Sequence, residues 1–149
     1  MSDPVIFALN SGREFAGRVA ARMGLALSAV EEREFDDGEH KTRPLVSVRG
    51  RDVFIVQSLY GEPGQSCNDK LCRLLFFIGA LRDAGQHALR QPFHTCVTLM
   101  QGRPHAAARS GNYSLLTSLF EAVACIVVML DVHNVSAFQN LFRCLDGKL

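Results

Sequence analysis

Apolar residues fall in short unbroken runs along this chain, and polar or glycine-bearing breaks separate them. The strongest run lies in Cys125–Asn134 (CIVVMLDVHN), where a β-branched stretch ends in Asp131-Val132-His133. Such a run predicts a strand buried on both faces, as in a parallel sheet. Val5–Leu9 (VIFAL) and Asp52–Ser58 (DVFIVQS) predict two more strands. Helical spacing of Phe15, Val19 and Met23 predicts a helix over Glu14–Met23, which Ser11 could cap. A longer stripe of Leu71, Leu74, Leu75, Ile78 and Leu81 predicts a second helix, capped by Asn68 or Asp69 and stopping at Gly85. Tyr113–Val123 and Ser136–Cys144 also carry helical spacing. Strand, loop and helix in this order imply right-handed β-α-β crossovers and an α/β fold.

Leu27–Val48 is less regular. Its centre, Glu34-Phe35-Asp36-Asp37-Gly38-Glu39-His40, predicts a tight turn at Asp37-Gly38. A solvated hairpin tip explains it. So does a turn that offers Phe35 to stack on a base and Asp37 and Glu39 to accept hydrogen bonds from an amino group.

Ligands in open α/β sheets bind beyond the carboxyl ends of the strands. Asp131 and His133, two apart, point to one side of an extended chain there. A carboxylate beside an imidazole suits a divalent metal or a phosphate-bearing substrate, and a plain polar turn after a strand is the other reading.

Composition narrows this picture. The chain has 149 residues, 48% hydrophobic and 21% charged, which suits one globular domain with a real core. A net charge of +1 gives no case for nucleic acid or a membrane surface. No apolar run reaches spanning length, and the start lacks a signal peptide. Five cysteines, mostly in apolar runs, suggest reduced thiols and a cytoplasmic protein; Cys67 and Cys72 alone are weak evidence for a metal site.

Several motifs occur together in one order: Phe35-Asp36-Asp37-Gly38-Glu39, then Arg49-Gly50-Arg51-Asp52-Val53-Phe54-Ile55-Val56-Gln57-Ser58, then Asn68-Asp69 with its apolar helix, then Leu130-Asp131-Val132-His133. Together they resemble the amino-terminal domain of the ribose-phosphate pyrophosphokinase (phosphoribosyl pyrophosphate synthetase) family, over roughly 5–85 and 119–144. The resemblance implies a phosphoribosyltransferase-like (Rossmann-like), mostly parallel sheet with flanking helices. It implies transfer of the diphosphoryl group of ATP to ribose 5-phosphate, with Mg2+. By position, Phe35 would stack on adenine, and Asp37, Gly38 and Glu39 would form the turn that holds the base edge. His133, with Asp131, would contact the metal.

The pattern also breaks. The family's second domain, with its ribose-phosphate loop and catalytic lysine, is expected to be absent, so 1–149 would be the ATP-binding half alone. The family's Tyr-Ala-Arg-x-Asp-Arg loop is missing near residue 100, where the chain reads CVTLMQGRPHAAARSGNYS. Residues 86–118 contain no Asp or Glu, and hold His87, His94 and His105, three of the five histidines. Codons exist for His87–Leu99 and Met100–Leu115 whose neighbouring frames spell family-like strings, which suggests a frame-shifted segment; the nucleotide sequence decides it. This segment is expected to be the least well packed part, with His94–Leu99 pairing as a poor strand.

Two functions follow: the nucleotide-binding half of a pyrophosphokinase, or an inactive, truncated homologue that at most binds nucleotide or joins intact subunits. Without a second domain, efficient catalysis is not expected, and ribose 5-phosphate would bind only if that domain were supplied. The Leu71–Leu81 stripe and the Phe138/Phe142 surface are expected to be partly exposed, which favours homo-oligomers or association with intact subunits.

Overall fold

The computed structural model describes residues 4–86, 95–100, 118–120, 122 and 126–130, the last two strands by their backbone only. Strands β1 (Val5–Phe7), β4 (Val53–Ser58), β5 (Thr95–Met100) and β6 (Ile126–Leu130) form one parallel sheet in the order β1-β4-β5-β6. Val5 pairs with Val53, Val53 with Thr95, and Cys96 with Ile126. This is the predicted α/β architecture, with helices between parallel strands. The backbone of Thr95–Met100 pairs along its whole length with β4, and β6 flanks it on the other side. His94 and the packing of the β5 side chains lie outside the described residues.

Alternate residues of β1 and β4 seed two cores. Helix α1 (Arg13–Arg22) covers one face of the sheet, where Ala16 and Ala20 pack with Ile6, Ala8 and Val56. Helix α2 (Cys67–Gln86) covers the other, where Leu74, Phe77, Ile78 and Leu81 pack on Val5, Phe7, Val53 and Ile55. Phe120 is sealed into the same core, and the Arg82 guanidinium donates to the Ala122 carbonyl at 2.5 Å.

Several expectations need correcting. On α1 the buried residues are the small alanines; Phe15 and Val19 are half-buried, and Met23 is exposed. Close approach to the sheet selects alanine, so the larger residues line a shallow groove of about 430 Å³ with Arg18 and Arg22. Ser11 does not cap α1; it lies in a single 3-10 turn, Asn10–Gly12, and its Oγ accepts from Gln57 Nε2 at 2.6 Å. Gly12 passes so close to β4 that a Cβ there would sit 2.9 Å from Gln57 Oε1 and 3.0 Å from the Val56 carbonyl oxygen.

The cap of α2 is Ser66, with Asp69 as its reciprocal partner. Ser66 Oγ accepts from the Asp69 N–H at 3.1 Å, and the Asp69 carboxylate accepts from the Ser66 N–H at 3.0 Å. This is a capping box, which satisfies two free backbone donors at once. α2 runs on past Gly85 to Gln86. The Leu71–Leu81 stripe is not left open, since Leu74, Ile78 and Leu81 are fully buried and Leu71 and Leu75 pack beside them. Among the described residues of α2, Phe76 is the large apolar side chain that stands out in solvent, at 65% exposed. The Phe138/Phe142 surface lies outside the described residues.

The irregular stretch Leu27–Val48 resolves into a second element. Leu27 bridges Ile6 in parallel along the free edge of β1, and the Ser28 N–H donates to the Ile6 carbonyl at 2.7 Å, which covers part of that edge. The chain then forms the antiparallel hairpin β2 (Val30–Glu34) and β3 (His40–Pro44). Among the described residues no helix is long and apolar enough to cross a membrane.

Candidate nucleotide-binding hairpin and sheet rim

The hairpin turn is built by local chemistry. Gly38 adopts φ +84°, a conformation costly for any residue with a Cβ. The Phe35 N–H donates to the Glu39 carbonyl at 2.8 Å, and the Gly38 N–H to the Phe35 carbonyl at 2.9 Å. Asp37 closes the turn, its Oδ1 accepting from the Glu39 N–H at 3.0 Å. One carboxylate oxygen is therefore committed to the turn, and the other accepts no hydrogen bond from the described residues, so it could accept from a ligand.

Phe35 is 38% exposed, and the Arg33 guanidinium lies over its ring, 5.0 Å from the centroid. The outer hairpin face thus holds an aromatic ring with a cation above it. A flat base reaching Phe35 must use the opposite ring face or displace Arg33. Glu31 and Arg43 pair across the strands on the same face. The hydrogen bond from Arg43 holds the Glu31 carboxyl below its ordinary value.

The opposite face of the hairpin packs on α2. Here Val30, Glu32 and Glu34 of β2 stand beside Pro44, Thr42 and His40 of β3. Arg73 reaches in from α2 with ion pairs at 3.6 Å to Glu32 and 3.0 Å to Glu34. The His40 and Phe76 rings meet edge to face at 5.4 Å. Three buried polar atoms here lack a hydrogen-bond partner among the described residues: His40 Nε2, Thr42 Oγ1 and Arg73 Nε.

The hairpin also touches the sheet. The backbone N–H of Asn10, just beyond the carboxyl end of β1, donates to Glu32 Oε2 at 2.8 Å. All four sheet strands are parallel, so Ser58, Met100 and Leu130 end on this same rim. The rim after β4 is braced by Lys70, whose Nζ is 2.5 Å from Glu62 Oε1 and whose side chain is 2% exposed. β6 is three strand positions from β1, so their ends are about 14 Å apart.

The structure places the expected site residues unevenly. Phe35, Asp37, Gly38 and Glu39 come together in one turn. Asp131 and His133 lie outside the described residues, and β6 ends one residue before Asp131. Among the described residues no cluster of three or more His, Cys, Asp or Glu side chains could hold a metal ion. Sequence reasoning missed Glu32, Arg73 and Asn10. The alternation Val30, Glu32, Glu34 was the available signal, since period 2 marks one face of a strand.

A family model described as the N-terminal domain of ribose phosphate pyrophosphokinase matches residues 4–90, more than half of the chain. The chain belongs to the ribose-phosphate pyrophosphokinase family. Ribose-phosphate pyrophosphokinase 1 of Streptococcus pneumoniae is 38% identical over 142 residues, which is 95% of this chain and 42% of that protein. Ribose-phosphate pyrophosphokinase of Fusobacterium nucleatum is 44% identical over 79 residues, covering 53% of this chain and 24% of that protein. The crystal structure of phosphoribosylpyrophosphate synthetase from Mycobacterium smegmatis superposes with a TM-score of 0.73 at 26% identity, over 96% of this chain and 46% of that one. The chain thus spans less than half the length of these relatives.

Proposed function

We propose that this chain is the ATP-binding half of a ribose-phosphate diphosphokinase, the enzyme class that transfers the diphosphoryl group of ATP to ribose 5-phosphate. The observation that carries the reading is the Phe35–Glu39 turn, which offers an exposed aromatic ring beside a carboxylate with one oxygen unbonded among the described residues. In this reading Phe35 stacks on adenine, while Asp37 and Glu39 accept from its amino group. Asp131 and His133, following β6 in sequence, would hold Mg2+ at the rim, and the ion would supply charge neutralisation for the phosphate oxygens. Diphosphoryl transfer depends mainly on positioning and charge neutralisation, so these 149 residues, which lack the family's phosphate-clamping motif near residue 100, would by themselves bind ATP without efficient turnover. Homo-oligomers or assembly with intact subunits, and a cytoplasmic location, go with this reading.

Isothermal titration of the chain with ATP tests it. Phe35→Ala is expected to weaken ATP binding by an amount worth about 1–3 kcal/mol, the range of one base–aromatic stack. Binding should be retained better for ATP than for GTP, whose base edge presents a carbonyl where adenine presents an amino group. Equal affinity of the wild-type chain for inorganic tripolyphosphate and for ATP would sink the adenine assignment.

A further inference from the structure

Arg73 stands where α2, the hairpin and the sheet rim meet, and no role in the turn itself accounts for it. Its side chain is only 11% exposed, and that of Glu32 only 8%, so this pair is shielded from the solvent that weakens surface ion pairs. Glu32 uses one carboxylate oxygen for Arg73 and the other for the Asn10 N–H. Arg73 also pairs at 3.0 Å with Glu34, the residue immediately before Phe35, whose side chain is 62% exposed, so this second arm is the weaker one. A planar guanidinium with two arms can hold two carboxylates at a fixed spacing, which a lysine cannot.

Beyond these ion pairs the hairpin meets α2 through a mixed face, where the His40 ring lies edge-on to Phe76. Among the described residues, the polar atoms of Thr42 and His40 that face the helix have no partner, and Val30 is the stem side chain packed on the apolar core. The Arg73 pairs therefore help to set where the hairpin sits. A rotation that broke the Arg73 pairs would carry Phe35 away from its place and release the Asn10 amide at the carboxyl rim.

We propose that Arg73, acting through Glu32 and Glu34, is a positioning residue that fixes the Phe35–Glu39 turn against the carboxyl rim of the sheet. Its consequence for ligand affinity rests on the nucleotide reading above. The clamp itself does not.

The test is amide hydrogen exchange and ATP titration on the full 149-residue chain and three variants. Arg73→Gln removes the clamp, Arg73→Lys keeps the charge without the fork, and Arg82→Gln removes a charge from α2 away from the hairpin. With Arg73→Gln, exchange at Asn10, Phe35 and Gly38 is expected to quicken about tenfold or more while Val53–Val56 stay protected. ATP affinity should fall about tenfold, and inorganic tripolyphosphate affinity should not change. Arg73→Lys should fall between wild type and Arg73→Gln in both readouts, and it also reports on the clamp should Arg73→Gln not fold. Arg82→Gln should match wild type. Wild-type exchange at Asn10 in both Arg73 variants would overturn the clamp whatever the ligand data show. A wild-type chain that binds no ATP, with Asn10 still released in Arg73→Gln, would overturn the nucleotide reading and leave the clamp standing.

Discussion

The sheet core and the β2–β3 hairpin are held by different physics. Between the sheet and α2, Phe7, Ile55, Leu74, Phe77, Ile78 and Leu81 are fully buried, and stability there comes from apolar area removed from water. The hairpin meets the same helix through a mixed face, with Val30 on the core, the His40 ring against Phe76, and ion pairs from Arg73. It is placed by Arg73, Glu32, Glu34 and the Asn10 amide, and its tip is shaped by Gly38 and Asp37. An apolar core tolerates no rearrangement without losing area, whereas a polar interface has a definite position only while its charge pairs are made. The rigid part carries the fold, and the adjustable part carries the candidate recognition residues.

The largest expected effect is in the core. Phe77 is fully buried and meets Phe7 edge to face at 5.5 Å. Phe77→Ala should cost about 3–5 kcal/mol in urea unfolding, the usual range for a buried aromatic truncated in a close-packed site. A loss under about 1 kcal/mol would mean that this core is not sealed, and the contrast would fail.

The hairpin should respond in the opposite direction to a polar-to-apolar change. Thr42 is 7% exposed, and its hydroxyl has no hydrogen-bond partner among the described residues. Thr42→Val keeps the shape and removes a buried hydroxyl that gives up water for nothing, so a gain of about 1 kcal/mol is expected in thermal unfolding. Destabilisation would show that a bound water satisfies this hydroxyl.

The smallest effect concerns pH. The Ser66 hydroxyl and N–H, both bonded to Asp69, hold its carboxyl below the ordinary value of 3.8. A lowered carboxyl adds stability that is complete above the ordinary value and is lost as pH falls through the lowered one. The α2 cap therefore weakens only below about pH 4. Asp69→Ala should lower the melting temperature at neutral pH and bring the two proteins together in acid. Equal separation at both pH values would mean that the cap does not act through the Asp69 charge.

Much of this architecture was legible in the chain. Val5–Phe7, Val53–Ser58 and Ile126–Leu130 are strands because their apolar runs are β-branched and bounded by breaks, and Leu74, Ile78 and Leu81 face the sheet because their spacing is helical. The turn at Asp37-Gly38 followed from local backbone chemistry alone. Helix faces and caps were less legible. Burial of Ala16 and Ala20 ahead of Phe15 and Met23 depends on how closely α1 approaches β1 and β4, and spacing does not encode that distance. The choice of Ser66 over Asn68 as cap depends on where α2 begins, which is set by the loop from β4.

The sequence by itself determined the elements, because backbone propensity and apolar periodicity act within a few residues of each position. It determined the turn that bears Phe35, Asp37 and Glu39 for the same reason. Only the tertiary structure decided that Arg73 should meet Glu32, and Glu32 the amide of Asn10. Those partners are 41 and 22 residues apart in the chain. Charges so far apart in sequence have no preferred meeting until the sheet and α2 bring them within reach and exclude the water that would otherwise screen them.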